Sequence, residues 1–251
     1  MSLRLYAGAS GFAYKPWKGP FYPADLKDAE MLAYYAARLP AVEINNTFYR
    51  LPKTKLLEDW AGQTPDDFRF VLKASRRITH MQRLKDVGEL VEYLCKTAGT
   101  LGPKLGPLLF QLPPYMKKDL DRLRSFLDLV PADRKVALEF RNASWLEDDV
   151  FEALRAKDAA LCVAETEPDD KEGGELKVPF EATASWGYLR LRRAHYSDAD
   201  LATWLERMRG QGWSEAYVFF KHEDDGTAPL FARRLLELGG QSAGRTPSSD
   251  G

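Results

Sequence analysis

The sequence predicts an α/β chain folded as a single-domain TIM (β/α)8 barrel. Three observations carry that expectation. Short apolar runs alternate strictly with segments of helical periodicity along most of the 251 residues. The strand-like runs are apolar on both faces, as strands covered by helices must be. Ionisable side chains collect at the C-terminal ends of these runs, where barrel enzymes build their sites, and no linker or break in composition divides the chain.

The elements follow in order. Residues 3–8 form the first strand and run into GASGFAYKPWKGPFYP, a loop dense in glycine, proline and aromatics. Residues 27–39 read as a helix because Met31, Leu32, Tyr35, Ala36 and Leu39 fall on one stripe. The second strand (42–45) is followed by a short helix (54–60). The third strand (68–73, FRFVLK) precedes a helix at 87–97 that turns Leu90, Val91, Leu94 and Cys95 inward. The fourth strand (107–111) closes at Pro113 and Pro114, which cannot donate to a sheet ladder, and leads to a helix at 120–129.

The fifth strand (135–140) and its helix (147–157) are followed by a sixth strand (160–164). Residues 165–185 show no helical stripe, so a regular sixth helix is not expected, and DDKEGG there reads as exposed loop. The seventh strand (186–191) leads to a helix at 198–209 with Asp198 as its N-cap. The eighth strand (215–220) leads to the last helix, 229–238. The barrel domain thus spans residues 1–238, and the polar tail 239–251 is expected to be disordered. A doubly wound open sheet is the alternative. It calls for a glycine-rich nucleotide turn after the first strand, which GASGF matches only loosely.

Composition excludes several classes. The formal net charge of −1 gives no global attraction to nucleic acid or acidic membranes, so any anion binding must be local. Cys95 and Cys162 lie far apart, each in an apolar setting, without the spacing of a cysteine metal site. They read as small buried hydrophobes in a reducing compartment. No apolar stretch resembles a signal peptide or approaches the ~20 residues of a membrane span. A cytoplasmic location without membrane partners is expected; the sequence does not give the oligomeric state.

Strand ends were then read for chemistry. Strand side chains alternate, so Ala137, Glu139 and Arg141 of VALEFRNASW share one face. The second strand ends in Glu43 and Asn45, the third in Lys73, the fourth in Gln111 and the sixth in Glu165. The seventh gives Arg190 and Arg192, the eighth Lys221 and His222. Lys73 facing inward requires a carboxylate partner, for which Glu43 or Glu139 could serve. Tyr14, Trp17, Phe21 and Tyr22 either pack the barrel mouth or stack on a ring-shaped ligand. Glu139 and Arg141 either face a ligand or form a buried ion pair that caps the barrel. His80, beside Arg76 and Arg77, reads as a surface residue, and Trp145 as packing for the fifth helix.

GASGFAYKPWKGPFYP (8–23), VEINNTFYRLP (42–52), FRFVLKASRRITH (68–80), GPLLFQLPP (106–114) and ALEFRNASW (137–145) occur in the order of a known family. On these segments the chain resembles the domain of unknown function 72 family, also called YecE-like. YLRLRRAHY and YVFFKHEDDG match it more loosely. The resemblance implies a TIM-barrel fold and a set of rim positions, and no reaction. The chain departs from the family pattern after the seventh strand, where Arg190-Leu191-Arg192-Arg193 replaces Arg-x-His-Gly. After the eighth, Phe220-Lys221-His222 replaces Phe-Asn-Asn, so this wall of the mouth is more basic.

Three chemistries can be set against these residues. The three histidines, His80, His195 and His222, under-supply a multinuclear zinc site, although one Mg²⁺ on Glu43 and Glu139 is compatible with oxygen ligands. Glycoside hydrolysis needs two carboxylates, and the common barrel arrangement would put them where Gln111 and Arg190 stand. The favoured expectation is an enzyme acting on a small phosphate- or carboxylate-bearing molecule. Glu43, Lys73 and Glu139 are the catalytic candidates. Asn45, Gln111, Arg141, Arg190, Tyr14, Trp17 and His222 are the substrate-binding candidates, with no metal ligand assigned. A non-catalytic nucleic-acid or phosphate-binding module using Arg76, Arg77, Arg83, Arg192 and Arg193 is the alternative, less favoured because net charge is near zero.

Overall fold

Eight parallel strands hydrogen-bond in sequence order, β1 to β8, and β8 pairs back onto β1 to close the barrel. The computed structural model describes residues 3–50, 52–165, 176–221 and 225–241. The strands are β1 Arg4–Ala9, β2 Ala41–Ile44, β3 Arg69–Lys73, β4 Leu105–Gln111, β5 Val136–Glu139, β6 Ala160–Glu165, β7 Gly187–Leu191 and β8 Glu215–Phe220. The helices are α1 Met31–Ala36, α2 Thr54–Gly62, α3 Gly88–Ala98, α4 Leu120–Leu129, α5 Asp148–Arg155, α6 Asp198–Arg209 and α7 Thr227–Leu238. The expected (β/α)8 barrel is the fold observed.

Every strand is buried on both faces because alternate side chains meet two different cores. One parity faces the helices, where Val42, Leu72, Phe110 and Leu138 join the large outer core. The other fills the barrel with Tyr6, Val71, Leu109, Ala137, Cys162 and Tyr217 among others. The N-terminal end is plugged by rings: Tyr6 stacks on Tyr217 at 4.8 Å, and Trp186 meets Tyr217 edge-on at 5.8 Å. Both cysteines are free and buried. Among the described residues no helix is long and apolar enough to cross a membrane.

Helix ends show where local chemistry overrides a first reading. The N-cap of α6 is Ser197, not Asp198. Ser197 and Asp200 form a reciprocal capping box, satisfying two otherwise orphan amides. Asp198 instead pairs with Arg234 of α7 at 2.6 Å. The expected first helix is shorter, a single 3-10 turn at Asp28–Glu30 leading into α1. Between β6 and β7 the described residues 176–185 form no helix. Val178, Phe180 and Ala182 nonetheless pack on the outer core, and the Thr183 hydroxyl accepts from Leu161 N and donates to Ala159 O. This extended segment does a helix's covering work. Of the polar tail, residues 239–241 are described, and the Gln241 side chain bonds Leu5 N at 2.9 Å and Leu3 O at 2.8 Å. The remainder of the tail lies outside the described residues.

The seam between β1 and β2 pairs at only two positions, Gly8 with Ala41 and Ala9 with Val42. The buried Tyr35 hydroxyl supplements it, accepting from Ala9 N at 2.7 Å and donating to Ala41 O at 2.9 Å. A Cβ on Gly8 would lie 1.9 Å from Ala41 O and 2.8 Å from the Tyr35 hydroxyl. We therefore expect Gly8→Ala to destabilise the fold by about 1–3 kcal/mol, the usual cost of overpacking, in a denaturant titration. A change within about 0.5 kcal/mol, the scatter of surface substitutions, would mean this seam is loosely packed.

Candidate active site

The inward parity of the strands carries the ionisable groups to one end of the barrel, above the aromatic plug. Gln111 of β4 lies beside Glu139 of β5, and Arg190 of β7 lies between Ala164 of β6 and Phe219 of β8. Glu43 leaves β2 with the parity of Ala41, and Arg141 follows Glu139 with the parity of Ala137. Glu43, Lys73, Gln111, Glu139, Arg141, Arg190 and Arg192 are all buried.

Arg190 links the two carboxylates. Its Nη2 donates to Glu43 Oε1 at 2.8 Å and its Nη1 to Glu139 Oε2 at 2.7 Å. Glu43 also accepts from the Ser10 hydroxyl at 2.8 Å and from the Tyr188 hydroxyl at 2.6 Å. On Glu139, Oε1 faces Arg141 Nη2 at 2.6 Å, Arg192 Nη2 at 3.5 Å and Gln111 Nε2 at 3.4 Å. Lys73 holds its ammonium 4.4 Å from the centre of the Phe48 ring.

Burial pushes the Glu139 carboxyl up, but Arg190, Arg141, Arg192 and Lys73 together outweigh it and hold the group well below the usual carboxylate range. Burial acts on Glu43 the same way. The Arg190 charge, the Tyr188 and Ser10 hydroxyls and Lys73 bring its carboxyl below the ordinary value. The Tyr188 hydroxyl is pushed well up, first by burial and then by the neighbouring Glu43 charge, so it remains a donor. Both glutamates are therefore anions at neutral pH, and every one of their four oxygens already faces a donor.

That donor set does not fit Mg²⁺. A cation would have to displace guanidinium groups from both carboxylates and enter a site already ringed by positive charge. Among the described residues no three His, Cys, Asp or Glu side chains gather to hold a metal.

Glu43, Lys73, Gln111, Glu139, Arg141 and Arg190 thus come together as the strand parity predicts. Asn45 lies just above Glu43, half-buried, and its buried Oδ1 has no hydrogen-bond partner. Tyr14 joins indirectly: its hydroxyl donates to Ser10 O at 2.8 Å, and the Ser10 side chain donates to Glu43. Trp17 does not line the mouth. It is 1% exposed and packed among Tyr14, Phe21 and Tyr22, so its ring packs the loop and, contrary to expectation, presents no face to a ligand. His222 lies outside the described residues. Glu165 has the outward parity of Leu191 and pairs with Arg193 at 3.1 Å and Tyr196 at 2.7 Å, away from Glu139. Trp145 stacks on Phe140 at 5.0 Å and donates to Met116 O at 2.7 Å, a packing role as expected.

Sequence reasoning missed Ser10 and Tyr188, and it reads His80 as a surface residue where the structure half-buries it. Tyr188 shares the parity of Arg190 two residues later and was legible in principle. Ser10 sits in the loop after β1, where alternation no longer guides the reading. His80 occupies a wide single turn, Arg77–Met81, that follows β3. Its ring meets Phe48 edge-on at 4.9 Å. Burial, then the charges of Lys73, Arg141 and Arg76, lower its pKa.

Three comparisons bear on this arrangement. A family model described as "Protein of unknown function DUF72" matches residues 6–250. The chain is 35% identical over 231 residues to the UPF0759 protein YecE of Escherichia coli (strain K12), covering 82% of this chain and 84% of that one. It is 26% identical over 230 residues to the UPF0759 protein YunF of Bacillus subtilis (strain 168), covering 87% and 78%. Among solved structures, a DUF72 family protein from Thermotoga maritima MSB8 superposes with a TM-score of 0.82 at 27% identity, covering 95% of this chain and 100% of that one. A D-allulose 3-epimerase from Methylomonas sp. superposes at 0.52 with 15% identity over 96% and 97%, a likeness of fold alone.

The charge arrangement has a pH signature. A carboxyl held below its unfolded value contributes stability that is present above that value, about 4.3 for Glu, and is lost as pH falls through the folded value. We expect stability to fall below about pH 4. Glu139→Gln should cost roughly 3 kcal/mol at pH 7, because it leaves buried guanidinium charge uncompensated, and should flatten that acid limb. Urea titrations from pH 3 to pH 8 read both. A variant as stable as the parent with the same acid limb would show that Glu139 is not held as described.

Proposed function

The chain belongs to the DUF72 family, a family of unknown function, and we propose that its barrel mouth binds a small phosphate- or carboxylate-bearing substrate and processes it by proton transfer. One observation carries this reading. Arg141 is buried and touches Glu139, yet none of its three nitrogens makes a well-directed hydrogen bond. A buried guanidinium without hydrogen bonds is costly, and its planar fork of donors matches the oxygens of a carboxylate or phosphate. A substrate oxyanion at Arg141 would satisfy those donors, with the unpaired Asn45 Oδ1 on the same rim free to accept from a substrate hydroxyl.

The two glutamates change role under this reading. A proton acceptor works best with a pKa near the operating pH, and Glu43 and Glu139 are held below the ordinary range by their cations. They are positioning residues: they fix Arg190 and help aim Arg141 and Arg192. Lys73 and Gln111 complete the wall, Lys73 adding positive charge beside the anion. The nucleic-acid alternative loses its continuous basic strip. Arg192 is buried against Glu139, and Arg193 pairs with Glu165 and Asp200.

Calorimetry and thermal shift with inorganic phosphate test the anion site. At a phosphate concentration a hundredfold above Kd, linkage adds about 2.7 kcal/mol of stability to the parent chain. Arg141→Met should lose that increment while remaining folded, since Glu139 keeps its bond to Arg190. Equal stabilisation of parent and variant, or none in the parent, would overturn the reading. A shallow dependence on added chloride is expected. A steep log–log slope over several counter-ions would favour a polyanion instead.

A further inference from the structure

We infer that His80 is the residue that exchanges a proton with the substrate at this rim, an inference that rests on the anion-site reading above. The argument is geometric first. β3 ends at Lys73, and the wide turn Arg77–Met81 follows it at the C-terminal end of the barrel. Phe48, from the loop after β2, is shared by two groups: the Lys73 ammonium lies 4.4 Å from its centre, and the His80 imidazole meets it edge-on at 4.9 Å. His80 is thereby held on the side of the mouth that carries Lys73.

The imidazole is fixed rather than free. Its Nδ1 lies 2.8 Å from the hydroxyl of the buried Thr79, and its own carbonyl accepts from the Tyr115 hydroxyl at 3.3 Å. In the tautomer whose Nδ1–H donates to the Thr79 oxygen, Nε2 carries the lone pair, and no described residue hydrogen-bonds it. A half-buried imidazole with one nitrogen oriented and the other available is the arrangement a proton acceptor requires.

Charge favours the same assignment. The groups that act on His80 are its own burial and three cations from three elements: Lys73 of β3, Arg141 after β5 and Arg76 before the turn. All of them disfavour the imidazolium, so the ring is neutral at neutral pH and able to accept. An anion bound at Arg141 offsets these cations and raises the ring's basicity, so substrate binding itself would prepare the base. The step balances without a co-reactant. A substrate C–H or O–H bond breaks, the proton forms an N–H bond at Nε2, and the electron pair stays on the substrate atom beside Lys73 and Arg141. Returning the proton to the same or a neighbouring atom regenerates the neutral ring.

An NMR pH titration of the imidazole resonances tests this, with the His80 resonances assigned by comparison with His80→Gln. Sulfate serves as the probe anion because it does not titrate in this range, and calorimetry records whether it binds. In the anion-free protein His80 should titrate below about 6.5, with ¹⁵N shifts of the Nδ1–H tautomer. Saturating sulfate should raise its midpoint by about one unit, the effect of one opposite charge a few ångströms away, and Arg141→Met should abolish that rise. Sulfate binding that leaves the His80 midpoint unmoved would overturn the inference and leave the anion site standing. A midpoint at or above 6.5 without anion would also overturn it. No sulfate binding at all would remove the anion site and this inference with it.

Discussion

The rim of this barrel depends on Arg190. Its two terminal nitrogens reach two carboxylates that come from β2 and β5, so one side chain ties together opposite walls of the mouth. All three groups are buried, and none could be removed alone without leaving uncompensated charge in a low-dielectric setting. The cost of burying these charges is offset by their mutual pairing and by the hydroxyls of Ser10 and Tyr188, which complete the hydrogen bonding of Glu43 above the aromatic plug of Tyr6, Tyr217 and Trp186.

From that fixed point the remaining charges acquire direction. Glu139 is committed to Arg190 through one oxygen, which leaves the other to face Arg141 and Arg192. The Nε of Arg190 and that of Arg192 make no hydrogen bond, whereas Arg141 has none of its three nitrogens in one and touches Glu139 only as an ion pair. The same cations weaken Glu43 and Glu139 as bases and weaken His80 as a base least harmfully, since lowering an imidazole leaves it neutral and able to accept. Under the proposed function, electrostatics divides the labour: carboxylates that position, guanidinium groups that bind, and an imidazole that exchanges the proton.

Much of this was legible in the chain. Strand alternation puts Glu139 and Arg141, like Glu43 and Asn45, on one parity, and because charge is too costly in the apolar layer under the helices that parity is the inward one. The same rule shows why Glu165 fails as a rim residue: it follows the inward Ala164 by one position and turns out toward Arg193. Where the chain leaves a strand, periodicity stops informing. Ser10, His80 and Trp17 all lie in loops, and their roles depend on contacts made across the barrel. Trp17 illustrates the limit, since an aromatic-rich loop reads the same whether its rings pack on one another or face a ligand. The N-cap of α6 failed for a smaller reason. Ser197 and Asp198 are both good caps, and only the reciprocal bond with Asp200 separates them.

In the proposed function Arg141 is held ready for an anion that the protein does not itself supply. Anomalous diffraction from crystals grown with selenate would locate that anion. The expected peak lies within hydrogen-bond distance of the Arg141 guanidinium, at the C-terminal mouth, with Arg190 still bridging Glu43 and Glu139. Peaks confined to the outer helices or the N-terminal face, with Arg141 turned fully onto Glu139, would contradict it.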